Sequence, residues 1–211
     1  MNKGLVYSSH QGNVCILDLI TTSLNSNVNM DKNQQLKELD KRLRAKFKPK
    51  KILSGKGSLD APIMLVSEFP NSEEVFKDKP LLGISGRILN KLLKDSGIAK
   101  ENIYVTHAVK APKDKNELPQ PKEIKQFSHF LREEIKIIEP KLIIALGSTA
   151  LRGLNVKLPL LNIRGRLIRF GTNTLFSTHH PSAVTSNPTL MPELEKDFKQ
   201  LAEAIKNQNL A

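Results

Sequence analysis

Pro62-Ile63-Met64-Leu65-Val66-Ser67-Glu68 sets four apolar residues in one unbroken run and then stops on two polar ones. Strict alternation would mark a strand with one wet face. A short continuous run marks a strand covered on both faces, as in the middle of a parallel sheet. Lys141-Leu142-Ile143-Ile144-Ala145-Leu146 repeats the pattern, and residues 102–109 form another candidate strand. Helical spacings fall between them. Residues 86–96 carry Ile88, Leu89, Leu92 and Leu93 on one side, residues 121–138 read as a long helix opening on Pro121, and residues 148–154 as a short one. Residues 167–170 and 174–177 read as a strand pair turned at 171–173, and a last helix spans 192–206. Strands alternating with helices imply an α/β fold with three layers, α/β/α, around a central, mostly parallel sheet.

In such sheets ligands bind beyond the carboxyl ends of the strands. The segments to inspect are therefore 68–86, 106–121, 147–149 and 179–188, and all four can face one cleft.

Upstream of this pattern, Asp31 is a candidate N-cap, and Leu36, Leu39, Leu43 and Phe47 recur at helical spacing. The polar face of that helix runs into Lys41, Arg42, Arg44, Lys46, Lys48, Lys50, Lys51 and Lys56, with no acidic residue between Lys41 and Lys56. Such a run reads equally as a solvated helix end or as a surface that tracks phosphates. Residues 1–30 are rich in Ser, Asn and Thr and are expected to be a poorly ordered extension, with Met30 as a second candidate start. Three segments follow: the extension 1–30, a basic amphipathic helix and linker 31–57, and the α/β domain 58–211.

The 211 residues carry 33 Lys and Arg against 21 Asp and Glu, a net charge of +12. That length fits one domain and a tail. The excess positive charge favours polyanionic partners, because cations that neutralise phosphates release condensed counterions. Absence of Trp and only two Tyr argue against extended base-stacking platforms. The apolar run at 14–20 is broken by Asp18 and is far short of the ~20 residues that cross a bilayer, so neither a membrane partner nor export is expected. A lone cysteine, Cys15, makes neither an internal disulfide nor a four-thiolate metal site, and the expected setting is reducing and cytoplasmic.

Four pieces in order carry a resemblance. They are Ser67-Glu68-Phe69-Pro70-Asn71 followed by Lys79-Pro80-Leu81-Leu82-Gly83-Ile84-Ser85-Gly86; Asn102-Ile103-Tyr104-Val105-Thr106-His107; Pro140-Lys141-Leu142-Ile143-Ile144-Ala145-Leu146-Gly147; and His179-His180-Pro181-Ser182. From about residue 55 to 206 the chain resembles the uracil-DNA glycosylase superfamily, most closely its iron-sulfur branch, family 4. The resemblance implies an enzyme that cuts the bond between base and sugar after flipping the nucleotide out of the stack. It implies His180 as the donor to the base oxygen, and Glu68 or Glu74 as the carboxylate that orients water or balances the cationic sugar; spacing assigns neither role. Ser67, Phe69, Pro70, Asn71, Leu81, Gly83, Gly86, His107 and Ser182 fall at positions expected to meet the substrate. Ser182 and the basic residues Lys110, Lys113, Lys115 and Arg164 are candidates for phosphate contact.

The departures are as informative. Two of the four cluster cysteines of the branch appear here as Ala111 and Phe127, so no iron-sulfur cluster or other metal is expected. The asparagine that reads the edge of uracil is His107, the aromatic residue that stacks on the base is Leu81, and the outer glycines of the first motif are Ser67 and Asn71. These changes imply lower activity on uracil or a different preferred base. Residues 110–121 contain no histidine, so the covalent trap used by another branch is not expected. The resulting expectation is a monomeric DNA-repair glycosylase acting on uracil or a related damaged base. The alternative is a catalytically silent member that binds nucleic acid, and a third is an accessory role in replication.

Overall fold

The computed structural model describes residues 31–113 and 117–208. The extension expected at 1–30, with Cys15, lies outside the described residues, as does Lys115. In chain order the elements are α1 Lys32–Lys46, β1 Lys56–Gly57, β2 Ile63–Ser67, α2 Ser72–Phe76, α3 Gly83–Asp95, β3 Ile103–His107, α4 Pro121–Ile138 and β4 Leu142–Leu146. They continue with α5 Ser148–Gly153, α6 Leu160–Ile163, β5 Leu167–Phe170, β6 Asn173–Thr178, α7 Ala183–Ser186 and α8 Met191–Gln208.

The six strands form one sheet in the order β1-β3-β2-β4-β6-β5. Pairings β3–β2, β2–β4 and β4–β6 are parallel, and only the edge strands β1 and β5 run antiparallel to their neighbours. All five residues of β2 and of β4 are buried. Successive side chains leave opposite faces, so each continuous run feeds two cores at once. Ile63 and Leu65 pack with Leu89, Leu92 and Leu93 of α3 and with Leu194, Phe198 and Leu201 of α8. Met64 and Val66 pack on the other face with Leu131 and Ile138 of α4 and with Ala150, Leu151 and Leu154 of α5 or its end. These are the expected three layers.

Residues 31–57 pack onto this body. Leu39, Leu43 and Phe47 join Ile124, Phe127 and Phe130 of α4, with Val109 and Ala111, in a third buried cluster. The run of cations beside them is partly neutralised: Arg42 pairs with Glu133, Arg44 with Asp40, Lys50 with Glu123 and Lys56 with Asp78.

Some elements were not visible in the apolar spacing. Helix α3 opens three residues earlier than expected, at Gly83, and the short helices α2, α6 and α7 and the two-residue strand β1 are additional. Each is too short to show a period of its own, or is held by a cap rather than by a buried stripe.

Phe127 is fully buried and its ring stacks on Phe47, with centroids 3.9 Å apart and planes 7° from parallel. Phe130 meets Phe47 edge-on at 6.0 Å. Truncating a ring in such a block removes transfer energy and leaves a void. Phe127→Ala is expected to lower stability by about 3–5 kcal/mol, read as a drop in the urea midpoint with the slope unchanged.

Candidate active site

The parallel strands β2, β3, β4 and β6 all finish on one side of the sheet, and the chain leaving β2 and β6 there walls a cavity of about 250 Å³. Its lining includes Ser67, Glu68, Phe69, Asn71, Glu74, Leu81, Lys113, His180 and Ser182. The volume lies below the roughly 300–1,000 Å³ typical of pockets for drug-sized ligands and suits one small ring. Glu68 and His180, distant in sequence, line it together.

Glu68 is the first residue past β2. Its Oε1 accepts a hydrogen bond of 2.8 Å from the backbone N–H of Thr149, at the start of α5. Its other oxygen has no partner among the described residues. Gly147 makes the approach possible. A Cβ there would stand 2.6 Å from the Glu68 carboxyl group, and the residue is left-handed at φ +91°. The sheet thus delivers a carboxylate with one oxygen anchored and one free to accept.

His180 lies two residues beyond β6, and its protonation pattern follows from its partners. The Ser182 backbone N–H, which only donates, sits 3.1 Å from Nδ1, so Nδ1 carries a lone pair. The Ser182 hydroxyl reaches the same nitrogen at 2.6 Å. In the neutral ring the proton is therefore on Nε2, which faces Ser67 Oγ at 3.0 Å. Burial pushes the imidazole pKa below its ordinary value, against the opposing pull of the Glu68 charge, so the ring is neutral at neutral pH. Ser182, a candidate for phosphate contact, spends its hydroxyl on orienting this ring.

Glu74 does different work from Glu68. Its Oε2 accepts from the Asn71 N–H at 2.7 Å, while its own N–H donates to Asn71 Oδ1 at 2.8 Å, a reciprocal cap on α2. Its Oε1 accepts from the Leu82 N–H at 3.1 Å. With both oxygens engaged, this carboxylate braces the wall that carries Leu81. Burial raises its pKa, and those backbone donors act against the rise. Leu81 is left-handed at φ +56°, a conformation that costs a branched residue about 1–2 kcal/mol. Gly86 makes room for it, because a Cβ at that position would fall 1.7 Å from the Leu81 carbonyl oxygen. The glycine thus admits this chain's own backbone. Gly83 is left-handed at φ +75°. Phe69 is the phenyl ring on the cavity lining, and Pro70 is buried just behind it.

Other expected residues take different places. His107, the register partner of Ser67 on β3, is buried beneath the cavity and absent from its lining. Neither ring nitrogen has a hydrogen-bond partner among the described residues. Burial, then the nearby Lys110 charge, then His180, hold its pKa down to about 3.

Of the basic residues expected to meet phosphates, the three that are described each lie against carboxylates. Lys110 is buried with its amine 2.7 Å from Glu134, and it also donates to Thr106. Tyr104 OH donates to the same carboxylate at 2.9 Å. A long side chain at the end of β3 finds a buried partner on α4 before it reaches solvent, and such a pair survives burial only because both charges are met. Lys113 lines the cavity, yet its amine lies 2.6 Å from Glu123 and 3.4 Å from Glu117. Arg164 pairs with Asp197 at 2.9 Å and Glu193 at 3.0 Å. Lys110, Lys113 and Arg164, expected to meet phosphates, each hold a carboxylate in this structure. Sequence reading missed Glu134, Glu123 and Asp197 as partners, since no spacing links them. The Gly147-Ser148-Thr149 turn after a buried strand was the one available pointer to the brace on Glu68.

A three-layer α/β/α fold that gathers an anchored carboxylate and a neutral imidazole around a base-sized hollow defines a candidate hydrolase of small ring substrates. Residues 54–206 match the family model described as the uracil DNA glycosylase superfamily. The chain is 32% identical over 169 residues to a type-4 uracil-DNA glycosylase of Saccharolobus solfataricus, covering 75% of this chain and 78% of that protein. It is 37% identical over 139 residues to a type-4 uracil-DNA glycosylase of Thermotoga maritima, covering 64% and 72%. A DNA polymerase of Bacillus phage SP01 is 33% identical over 163 residues, covering 77% of this chain but 18% of the polymerase. The chain belongs to the uracil DNA glycosylase superfamily.

The depressed pKa of His107 couples folding to pH. Between about 3 and its ordinary 6.5 the unfolded imidazole binds a proton that the folded one refuses. Stability therefore falls as pH drops through that window. Urea titrations at pH 7, 6, 5 and 4 are expected to show a steeper loss for the parent than for His107→Leu, by up to about 1.4 kcal/mol per pH unit.

Proposed function

We propose that this protein hydrolyses the N-glycosidic bond of uracil, or of a related damaged base, in DNA. The observation that carries the reading is the meeting of Glu68 and His180 on one base-sized cavity in a chain of this superfamily. Its relatives' names as type-4 uracil-DNA glycosylases support it.

A base inside a duplex is out of reach of such a hollow, so the nucleotide must first leave the stack. Phe69 offers the π-face that Leu81 lacks, and Leu81 adds apolar packing to the lining. As the bond between sugar and base breaks, its electron pair goes to the base and the sugar becomes cationic. The free Glu68 oxygen, held in place through Thr149, suits the sugar side, where it balances positive charge and takes the proton of an attacking water. His180, neutral with its proton on Nε2, suits the base side, where negative charge grows on a carbonyl oxygen. Glu74 is a positioning residue, because both its oxygens hold the wall.

The net charge of +12 supports DNA as the polymer partner, through a field spread over the surface rather than through Lys110, Lys113 or Arg164. We read the working form as a monomer in the cytoplasm, where its substrate lies. No helix among the described residues is long and apolar enough to cross a membrane.

The iron-sulfur cluster implied by the branch does not fit the residues present. Such a cluster usually takes four thiolates and the chain has one cysteine, while Ala111 and Phe127 are buried in the Phe47 aromatic block. We propose that the chain works without the cluster and that apolar packing occupies its volume.

Purified protein is expected to lack absorbance near 400 nm and to contain no stoichiometric iron; a brown, iron-loaded sample would refute the cluster-free reading. Incubated with single- and double-stranded uracil DNA, it is expected to leave alkali-labile abasic sites. Glu68→Gln and His180→Ala are each expected to slow release by about a hundredfold or more. Salt-sensitive DNA binding without release of any base from a damaged-base panel would instead favour the silent-binder alternative.

A further inference from the structure

We propose that Ser67 is a catalytic residue. Its hydroxyl, polarised by His180, donates the hydrogen bond that stabilises the departing base. The inference rests on the excision reading above and deepens it.

Three observations lead there. The donor at Ser182 N forces the His180 proton onto Nε2, and that N–H has an acceptor already, Ser67 Oγ at 3.0 Å. A hydroxyl that accepts one hydrogen bond keeps a single O–H to give away, and no acceptor for it appears among the described residues. Ser67 is 1% exposed, yet it belongs to the cavity lining beside Glu68. A buried donor with no acceptor among the described residues, at the end of a central strand and on the lining of a base-sized hollow, awaits an oxygen from the ligand.

The chain His180 Nε2–H to Ser67 O–H to ligand oxygen is cooperative, since accepting from the imidazole makes the hydroxyl a stronger donor. Its strength rises as the ligand oxygen gains charge, which is the requirement for lowering a barrier rather than merely binding. The electron account closes without a charged histidine. The glycosidic bond breaks heterolytically and its pair goes to the base, where it spreads onto the adjacent carbonyl oxygen facing Ser67. Water adds its oxygen to the sugar carbon and gives a proton to Glu68, and that proton ends on the base nitrogen. No proton leaves His180 or Ser67 in the net reaction. The substrate class follows: a base with a carbonyl oxygen next to the glycosidic nitrogen, a pyrimidine, in preference to a purine.

The test compares the parent, Ser67→Ala, Ser67→Thr, His180→Ala and the Ser67→Ala/His180→Ala double variant in single-turnover release of uracil. Ser67→Ala is expected to slow the chemical step by about a hundredfold with little change in DNA affinity. Ser67→Thr, which keeps the hydroxyl, is expected to stay within about tenfold of the parent. The double variant is expected to be no slower than the worse single one, because both remove one relay. A Ser67→Ala protein as fast as the parent or faster would overturn the relay, since freeing the imidazole would then suffice. Ser67 is also judged independently of turnover, by ¹⁵N spectra of the His180 ring. A proton on Nε2, with a nitrogen shift that moves in Ser67→Ala, supports the relay, whereas a proton on Nδ1 refutes it. An inactive parent with the Nε2–H form would defeat the excision reading and leave the relay geometry standing.

Discussion

Strand β2 lies in the middle of the sheet with all five of its residues removed from water, hydrogen-bonded in parallel to β3 on one side and β4 on the other. Parallel pairing sends the carboxyl ends of neighbouring strands to the same edge. Polar residues that follow a buried strand are therefore pushed together at that edge, where water or a ligand satisfies them. Ser67 ends β2 and Glu68 follows it, the Gly147-Ser148-Thr149 turn follows β4, and His180 lies two residues past β6. The site is a consequence of polar strand ends gathered along one edge of the sheet.

Hydrogen bonding then divides the polar groups into those that work and those that support. Glu68 has one oxygen held and one open, while Glu74 has both held. His180 has a fixed tautomer because Ser182 donates to one nitrogen, and its remaining proton is directed at Ser67. His107 lies one strand away with no partner for either nitrogen among the described residues, an arrangement that costs stability. Such orphaned groups are tolerated where function needs them more than folding does.

Charge is managed in a similar way. The chain is strongly basic, yet three of its cations are bound to carboxylates: Lys110 to Glu134, Lys113 to Glu123 and Arg164 to Asp197. These pairs hold the strand ends and the loop after β3 against α4 and α8. The rings of Phe47 and Phe127 stack where the end of α1 meets α4.

The apolar runs and helical spacings by themselves determined the three layers, the buried central strands and the side of the sheet that carries the site, because burial on two faces leaves a plain mark on residue order. They also marked the segments 68–86 and 179–188, within which the family resemblance singled out Glu68 and His180. Tertiary structure alone decided their roles. Whether a carboxylate acts or braces depends on how many backbone N–H groups reach it, as the contrast of Glu68 with Glu74 illustrates. Whether a lysine meets DNA or an internal partner depends on which helix packs beside it, as Lys110 and Glu134 demonstrate. The direction of the His180 proton depends on Ser182 and Ser67 together. Those partners come from separate elements, and hydrogen bonds between them obey distance and angle in space, which residue order does not encode locally.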